Sequence, residues 1–344
     1  MSIKRGSITA IASAALLAAC SASGTGSVPP APSLASTALP SVATATPSPT
    51  EGAHFTFDQD PVVSTDTAGL TDLYINPGAV VEADGVLHMF PNSFSKWPGN
   101  IRTPHLTSSD AGATWTLDED ADLISSDETP LGKPGIDMGD GYVEADGTWV
   151  LYFNTVENGA AWDIGRATAP GPSGPWTIDE APVLTPGPAG AFDHGGVQWP
   201  TLVPVNGSWV MYYAGFDQAQ SGTGSIGMAT LGADGTWTKR AEPVLVASEK
   251  WETKSIDRPR VVETPDGFVM LYAGRDLIRR GLATSTDGIT WTKLPGPQIA
   301  QDDFPVKKRS WDSALVYGNN QLVYFLEIGF ETTAVYRALL DWPS

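Results

Sequence analysis

The chain has 344 residues, with 20 Lys and Arg against 39 Asp and Glu, a formal charge of −19. A surface this acidic repels phosphate backbones and anionic lipid headgroups, which excludes nucleic acid and a charged membrane surface as partners. The 36 Gly, 12 Trp and single Cys describe a turn-rich β protein with no intramolecular disulfide, held by its core.

The first segment reads as a targeting signal. Lys4 and Arg5 form a basic start, and Ile8 to Ala18 form an apolar run too short to cross a bilayer as a mature helix. The run ends in Leu17-Ala18-Ala19-Cys20, which looks like a bacterial lipobox. The expectation is a lipoprotein signal peptide over 1–19 and a diacylglycerol on Cys20, giving an exported, lipid-anchored, extracytoplasmic protein. The other reading is an ordinary signal peptide cut near Ala19. Residues 20–52 are Ser, Thr, Ala, Pro and Gly with almost no charge or large apolar side chain, a composition that cannot bury enough surface to fold. They read as a tether of mixed flexible and polyproline character. Residues 53–344 remain for one domain.

That domain repeats. Asp84-Gly-Val-Leu-His-Met-Phe90 returns as Asp146-Gly-Thr-Trp-Val-Leu-Tyr-Phe153, Asn206-Gly-Ser-Trp-Val-Met-Tyr-Tyr213 and Asp266-Gly-Phe-Val-Met-Leu-Tyr272, and more loosely as Asn319-Asn-Gln-Leu-Val-Tyr-Phe325. A turn pair leading into a β-branched and aromatic run is a hairpin signal, and recurrence at steps of 62, 60, 60 and 53 residues marks a repeat architecture. Three repeats add a Gly-x-Ala-Thr strand, and four end in a Trp, at 115, 176, 237 and 291. Four antiparallel strands per repeat, five times, predict an all-β, five-bladed β-propeller. The fifth blade is short, so residues near 55–65 are expected to supply its outer strand and remove a sheet edge. Ser108-Ser-Asp110-Ala-Gly112-Ala-Thr114-Trp115 fits an Asp-box, as does a shorter version ending in Trp291. It reads as a structural turn.

If each first strand runs away from the functional face, the hairpin turns lie on the opposite face. The functional face then holds the first-strand starts and the loops between second and third strands. The starts read Asn76-Pro-Gly78, Asp137-Met-Gly-Asp140, Gln198-Trp199-Pro200, Asp257-Arg258-Pro259 and Trp311-Asp312. Asp193-His194 lies just upstream in the third blade, and the loops add Trp97, Asp217, Arg275, Arg279 and Glu327. Crowded carboxylates raise one another's pKa, which suits one to act as an acid beside another as base or nucleophile. Two of Asp137, Asp193 and Asp257 are therefore expected to do that work, with Asp312 a further candidate. Asn76, Trp97, His194, Gln198, Trp199, Arg258, Trp311 and Asp312 are expected to bind substrate. An indole offers a flat apolar face with one donor. Each Asp could equally be a loop cap. No zinc-like His/Cys spacing is present, so no cofactor is expected; a structural Ca²⁺ is conceivable with this many carboxylates, but no loop motif demands it.

On these residues, over most of 55–344, the chain resembles the five-bladed glycosidase superfamily that includes glycoside hydrolase families 43, 32, 68 and 130. The resemblance implies a cell-surface glycoside hydrolase-like monomer that cleaves or binds carbohydrate at the propeller axis. Families 43 and 32 place an Asp in the first blade, a second Asp, and a Glu acid on later inner strands. This chain has Asn76 in the first slot and no Glu at a later first-strand start. Those departures favour the alternative, a non-catalytic propeller that binds glycan or protein.

Overall fold

The computed structural model describes residues 55–341 apart from 122, 133, 157–160 and 220–221. The proposed signal peptide, Cys20 and tether lie outside the described residues.

Each predicted hairpin forms the inner half of a blade. The inner and second strands are Tyr74–Ala83 and Val86–Phe94, Gly135–Val143 and Trp149–Val156, Gly196–Val205 and Ser208–Phe216, Ile256–Thr264 and Gly267–Gly274, and Arg309–Gly318 and Gln321–Gly329. Each pair is antiparallel and is followed by a third and a short outer strand, giving five antiparallel sheets. The first carries two extra short strands, Arg102–Thr103 and Ile124–Ser125. The architecture is a five-bladed β-propeller, with no α-helix among the described residues.

The repeated Trp explains how blades adhere. Trp115 meets Phe325 of blade five, Trp176 meets Phe90 of blade one, Trp237 meets Tyr152 of blade two, and Trp291 meets Tyr212 of blade three. The ring centroids are 5.4 to 5.8 Å apart and the planes cross at 74° to 86°. Edge-to-face contact sets the positive ring edge against the negative face of its partner. Each blade thus wedges an indole into the blade before it. In the Asp-box, Trp115 Nε1 donates to Gly112 O at 3.1 Å while Asp110 accepts from Thr114 N at 3.0 Å, so the box holds the wedge.

Blade five has no such Trp. Its outer strand is Thr56–Phe57, paired with Thr333–Asp341 as expected, and Phe57 packs with Leu271 and Val269 of blade four. The first and last strands thereby close the ring.

Every inner strand is irregular at the same level. The register shifts between Asn76 and Ala79, Met138 and Asp140, Gln198 and Thr201, Asp257 and Arg260, and Ser310 and Ser313. Pro77, Pro200 and Pro259 sit inside these shifts, where the missing N–H costs no ladder bond. A bulge leaves residues unpaired and re-aims their side chains. Here those residues lie at the start of the strand, next to the axis.

Blade one also holds a histidine pair, His105 buried and His88 half-buried. His88 Nδ1 lies 2.9 Å from His105 Nε2, and His105 Nδ1 lies 3.0 Å from Asp118 Oδ2. Trp149 closes on the edge of His88 and Phe90 stacks on His105. Burial, and then the neighbouring imidazole, push His88 down to about 4, against the opposing pull of Asp118 and Asp84. The folded state therefore resists the proton that the unfolded chain accepts near 6.5, and stability is lost as pH falls from there toward 4. Thermal melts of His88→Leu should show a shallower loss of Tm over that window than the wild type, with the two converging above pH 7.

Candidate active site

A cavity of about 870 Å³ opens where the inner strands begin. It is built from the five bulges and the loops between second and third strands. Asp137, Gln198, Trp199, Asp257, Arg258, Trp311 and Asp312 line it, together with Trp97 from a loop. Eight of the sequence-chosen residues thus share one pocket, and Asn76 lies buried between two of them.

Asn76 is oriented by its neighbours. Its Oδ1 accepts from Gly78 N and from Asn92 Nδ2, both at 2.9 Å. Its Nδ2 must then face the other way, 3.5 Å from Asp137 Oδ1 and 3.5 Å from Asp312 Oδ2. The two carboxyl groups are therefore no more than twice that distance apart. Asn92 is itself fixed across the blade boundary, accepting from Met138 N at 2.7 Å and donating to Met138 O at 3.0 Å. Asn154 repeats the arrangement one blade on. Its Oδ1 accepts Trp199 N at 2.7 Å, which aims its Nδ2 at Asp137 Oδ2, 3.1 Å away.

Arg258 organises the other half. Its Nη1 donates to Asp257 Oδ1 at 2.9 Å, its Nε to Asp312 Oδ1 at 3.0 Å, and its guanidinium carbon lies 3.9 Å from the centre of the Trp199 ring. Trp199 and Arg258 both hold left-handed backbone, with φ of 53° and 51°. Side-chain-bearing residues enter that region at a cost that packing must offset, and such positions gather at ligand sites. Below them, Arg260 donates to Pro200 O at 3.0 Å and to Ser313 O, tying blade four to blades three and five.

Glu327 is the functional candidate that first-strand reasoning left out. It ends the second strand of blade five, is 3 % exposed, and accepts from Asp312 N at 3.2 Å. The signal lay at the corresponding end of the other second strands. The residues opposite Asn76, Asp137, Gln198 and Asp257 are Asn92, Asn154, Ala214 and Ala273. A polar residue closing so apolar a strand was the clue.

The carboxyl groups divide by environment. Asp137, 2 % exposed, is pushed up to about 7 by burial and then by the negative charge of Asp312, against the two Asn amides and Arg260. Glu327 is pushed well above the usual carboxylate range by burial and by Asp312. Burial also raises Asp257, opposed by its ion pair with Arg258.

Two expectations are corrected. Asp193 does not reach the pocket. Its Oδ2 accepts from Lys239 Nζ at 2.6 Å and from Tyr213 Oη at 3.0 Å. It is a scaffold ion pair, and blade four repeats it with Glu252, Lys293 and Tyr272. His194 is exposed beside Gly187 O, 3.4 Å away, and does not line the pocket either. Both residues precede the inner strand, where the chain is still crossing from the blade's outer edge. No group of three or more His, Cys, Asp or Glu among the described residues is arranged to hold a metal ion.

A family model described as β-1,4-mannooligosaccharide phosphorylase, of glycoside hydrolase family 130, matches residues 199–325. That span contains Trp199, Asp257, Arg258 and Asp312, but neither Asp137 nor Glu327. No curated protein sequence matches the chain. Among solved structures, a glycoside hydrolase superposes at TM-score 0.66 and 15 % identity, over 85 % of this chain and 93 % of that one. The GH43_1 enzyme from Xanthomonas citri complexed with xylotriose gives 0.60 and 15 %, over 83 % and 89 %. A structure from the GH130 family of mannoside phosphorylases, reported to contain hydrolases that target β-1,2-mannosidic linkages in Candida mannan, gives 0.59 and 17 %, over 83 % and 93 %. The fold is that of glycoside hydrolases and phosphorylases.

The two buried aspartates respond oppositely to neutralisation. Asp193→Asn removes one charge of an ion pair and should lower stability by about 2 kcal/mol. Asp137 keeps its proton in the fold up to about 7 but loses it near 3.8 when unfolded, so its burial becomes destabilising as pH rises through that window. Asp137→Asn should therefore raise Tm by several degrees at pH 8 and by little at pH 4, read by calorimetry on both variants.

Proposed function

We propose that the protein cleaves glycosidic bonds of a carbohydrate at the axial pocket, outside the cytoplasm, on a lipid anchor at Cys20. The anchor rests on the N-terminal sequence. A Cys20→Ala variant should move from the membrane fraction to the soluble fraction, and retention there would remove this part of the reading.

The observation that carries the chemistry is the pair Asp137 and Glu327, two carboxyls in one pocket, both raised by burial and then by the nearby Asp312. Glu327, which burial pushes toward its protonated form, is the general acid, delivering that proton to the leaving glycosidic oxygen. Asp137 is the base: it takes a proton from water as the water oxygen bonds to the anomeric carbon, and the sugar–oxygen bond breaks. Asn76 and Asn154 direct amide protons at Asp137 and favour its ionised form. Asp257 is reassigned from catalysis to the ion pair that holds Arg258.

Water is the favoured acceptor because Arg258, the cation deepest in the pocket, is already taken by two carboxylates and an indole face. The description of the matching family model favours a second reading, in which inorganic phosphate replaces water. Product analysis with and without phosphate separates them: free reducing sugar in both cases supports hydrolysis, and a glycosyl phosphate supports the second. Binding without turnover across a broad glycan panel supports a non-catalytic propeller.

Asp137→Asn should lower kcat by roughly 10²–10⁴-fold, the usual contribution of a positioned acid or base. Glu327→Gln should lower it as much on natural glycosides, but far less on aryl glycosides whose phenol departs without a proton. The pH profile of the wild type should carry an ionisation near 7 that Asp137→Asn abolishes. Undiminished turnover in both variants would sink the assignment.

A further inference from the structure

The pocket is two-faced. Tyr74, Phe94 and Trp97 of blade one, Trp162 of blade two, and Trp199 and Phe216 of blade three form a continuous run of rings, with neighbouring centroids 5.3 to 6.5 Å apart. Three of the four carboxyls, Asp257, Asp312 and Glu327, come from blades four and five. The run has a direction. Trp97 stands at the mouth, 43 % exposed, and Trp199 lies at the floor, 8 % exposed, stacked on the guanidinium that holds Asp257 and Asp312. Trp162 joins them, 5.8 Å from Trp97 and 6.5 Å from Trp199. The buried indole N–H groups of Trp162 and Trp199 meet no acceptor among the described residues, as is also true of Trp251 and Trp291 away from the pocket.

We propose that Trp97, Trp162 and Trp199 form a rail for a chain of several uncharged sugars, so that the substrate is a neutral oligosaccharide or polysaccharide end. This rests on the glycosidase reading of the same pocket. The apolar C–H face of a pyranose stacks on an indole. A cavity of about 870 Å³ has room for more than one ring. The net charge of −19 disfavours uronic acid or sulfated chains.

The rail also selects shape. The planes of Trp97 and Trp162 cross at 59°, and those of Trp162 and Trp199 at 58°. Sugars stacked on successive indoles must turn by a similar angle. A β-1,4-glucan or β-1,4-mannan ribbon keeps its rings nearly coplanar, whereas β-1,3 linkage makes the chain turn. The rail therefore takes turned chains in preference to flat ones.

Calorimetric titration reads this without requiring turnover. The probes are cello-, manno-, xylo- and laminari-oligosaccharides from disaccharide to tetrasaccharide, with oligogalacturonates as the charged control, on wild type and Glu327→Gln. Kd should fall about tenfold from disaccharide to tetrasaccharide, and the β-1,3 series should bind more tightly than the β-1,4 series of the same sugar. Trp97→Ala and Trp162→Ala should flatten the length dependence at least fivefold, and Trp162→Phe should restore most of it. Thermal melts identify any variant that has merely lost its fold, and the exposed Trp97 site gives one that keeps it. No binding by any neutral chain, length-independent Kd, equal losses at every length, or preference for oligogalacturonates would overturn the rail. Preference for flat ribbons would overturn its shape selection. Length-dependent, Trp-dependent binding without cleavage would sink the glycosidase reading and leave the rail standing. Cleavage that depends on Asp137 and Glu327 but not on chain length would do the reverse.

Discussion

A guanidinium held between two carboxylates and an indole face is the contact on which the axial pocket depends. Arg258 joins Trp199 of blade three, its own neighbour Asp257 of blade four, and Asp312 of blade five. Four acidic side chains could not be gathered at a dry axis without such a cation, because each buried charge needs a partner. Arg258 pairs with Asp312, while burial first and the neighbouring Asp312 second push both Asp137 and Glu327 toward their protonated forms. The left-handed backbone of Arg258 and Trp199 is the local cost of presenting both side chains to the axis.

The scaffold around this contact is repetitive where the pocket is not. Edge-to-face rings at four blade boundaries, and Phe57 at the fifth, hold each blade against the one before. Because those contacts lie between outer and middle strands, the inner strands are free to vary. Asn76, Asp137, Gln198, Asp257 and Trp311 occupy comparable places in five blades as two amides, two carboxyls and an indole. A ring of similar supports with five different tips allows one half of a cavity to be aromatic and the other charged.

The hairpins, their count and the ring closure were legible because each depends on short-range patterning: a turn pair, an apolar alternation, a spaced Trp. The pocket-facing starts were legible as the positions where the repeat breaks. Asn92 and Asn154 were not read, and Glu327 was placed on the functional face without a catalytic role, because all three lie near the ends of second strands, where the surrounding run of Val, Leu, Tyr and Phe reads as core. Only the bulge opposite shows that these ends face the axis. Asp193 and His194 were misread for the opposite reason. They lie close to Gln198 along the chain, yet the crossing segment carries them toward the outer strands. Trp237-Thr-Lys239 and Trp291-Thr-Lys293 repeat in the sequence. Their lysines bind Asp193 and Glu252 in the same way, which marks both acids as scaffold.

The closure of blade five has a consequence for how the molecule comes into being. Thr56 and Phe57 pair with Leu339 and Ala338, residues from the two ends of the domain. No partial chain emerging from a ribosome or a translocation channel can make that pairing, since its second partner arrives last. Contacts of such sequence separation carry a large loop-closure cost and form late. Until they do, Thr333–Asp341 remains an open edge and the last inter-blade wedge is empty. The two ends therefore depend on each other: a molecule shortened at either one keeps a sheet edge exposed.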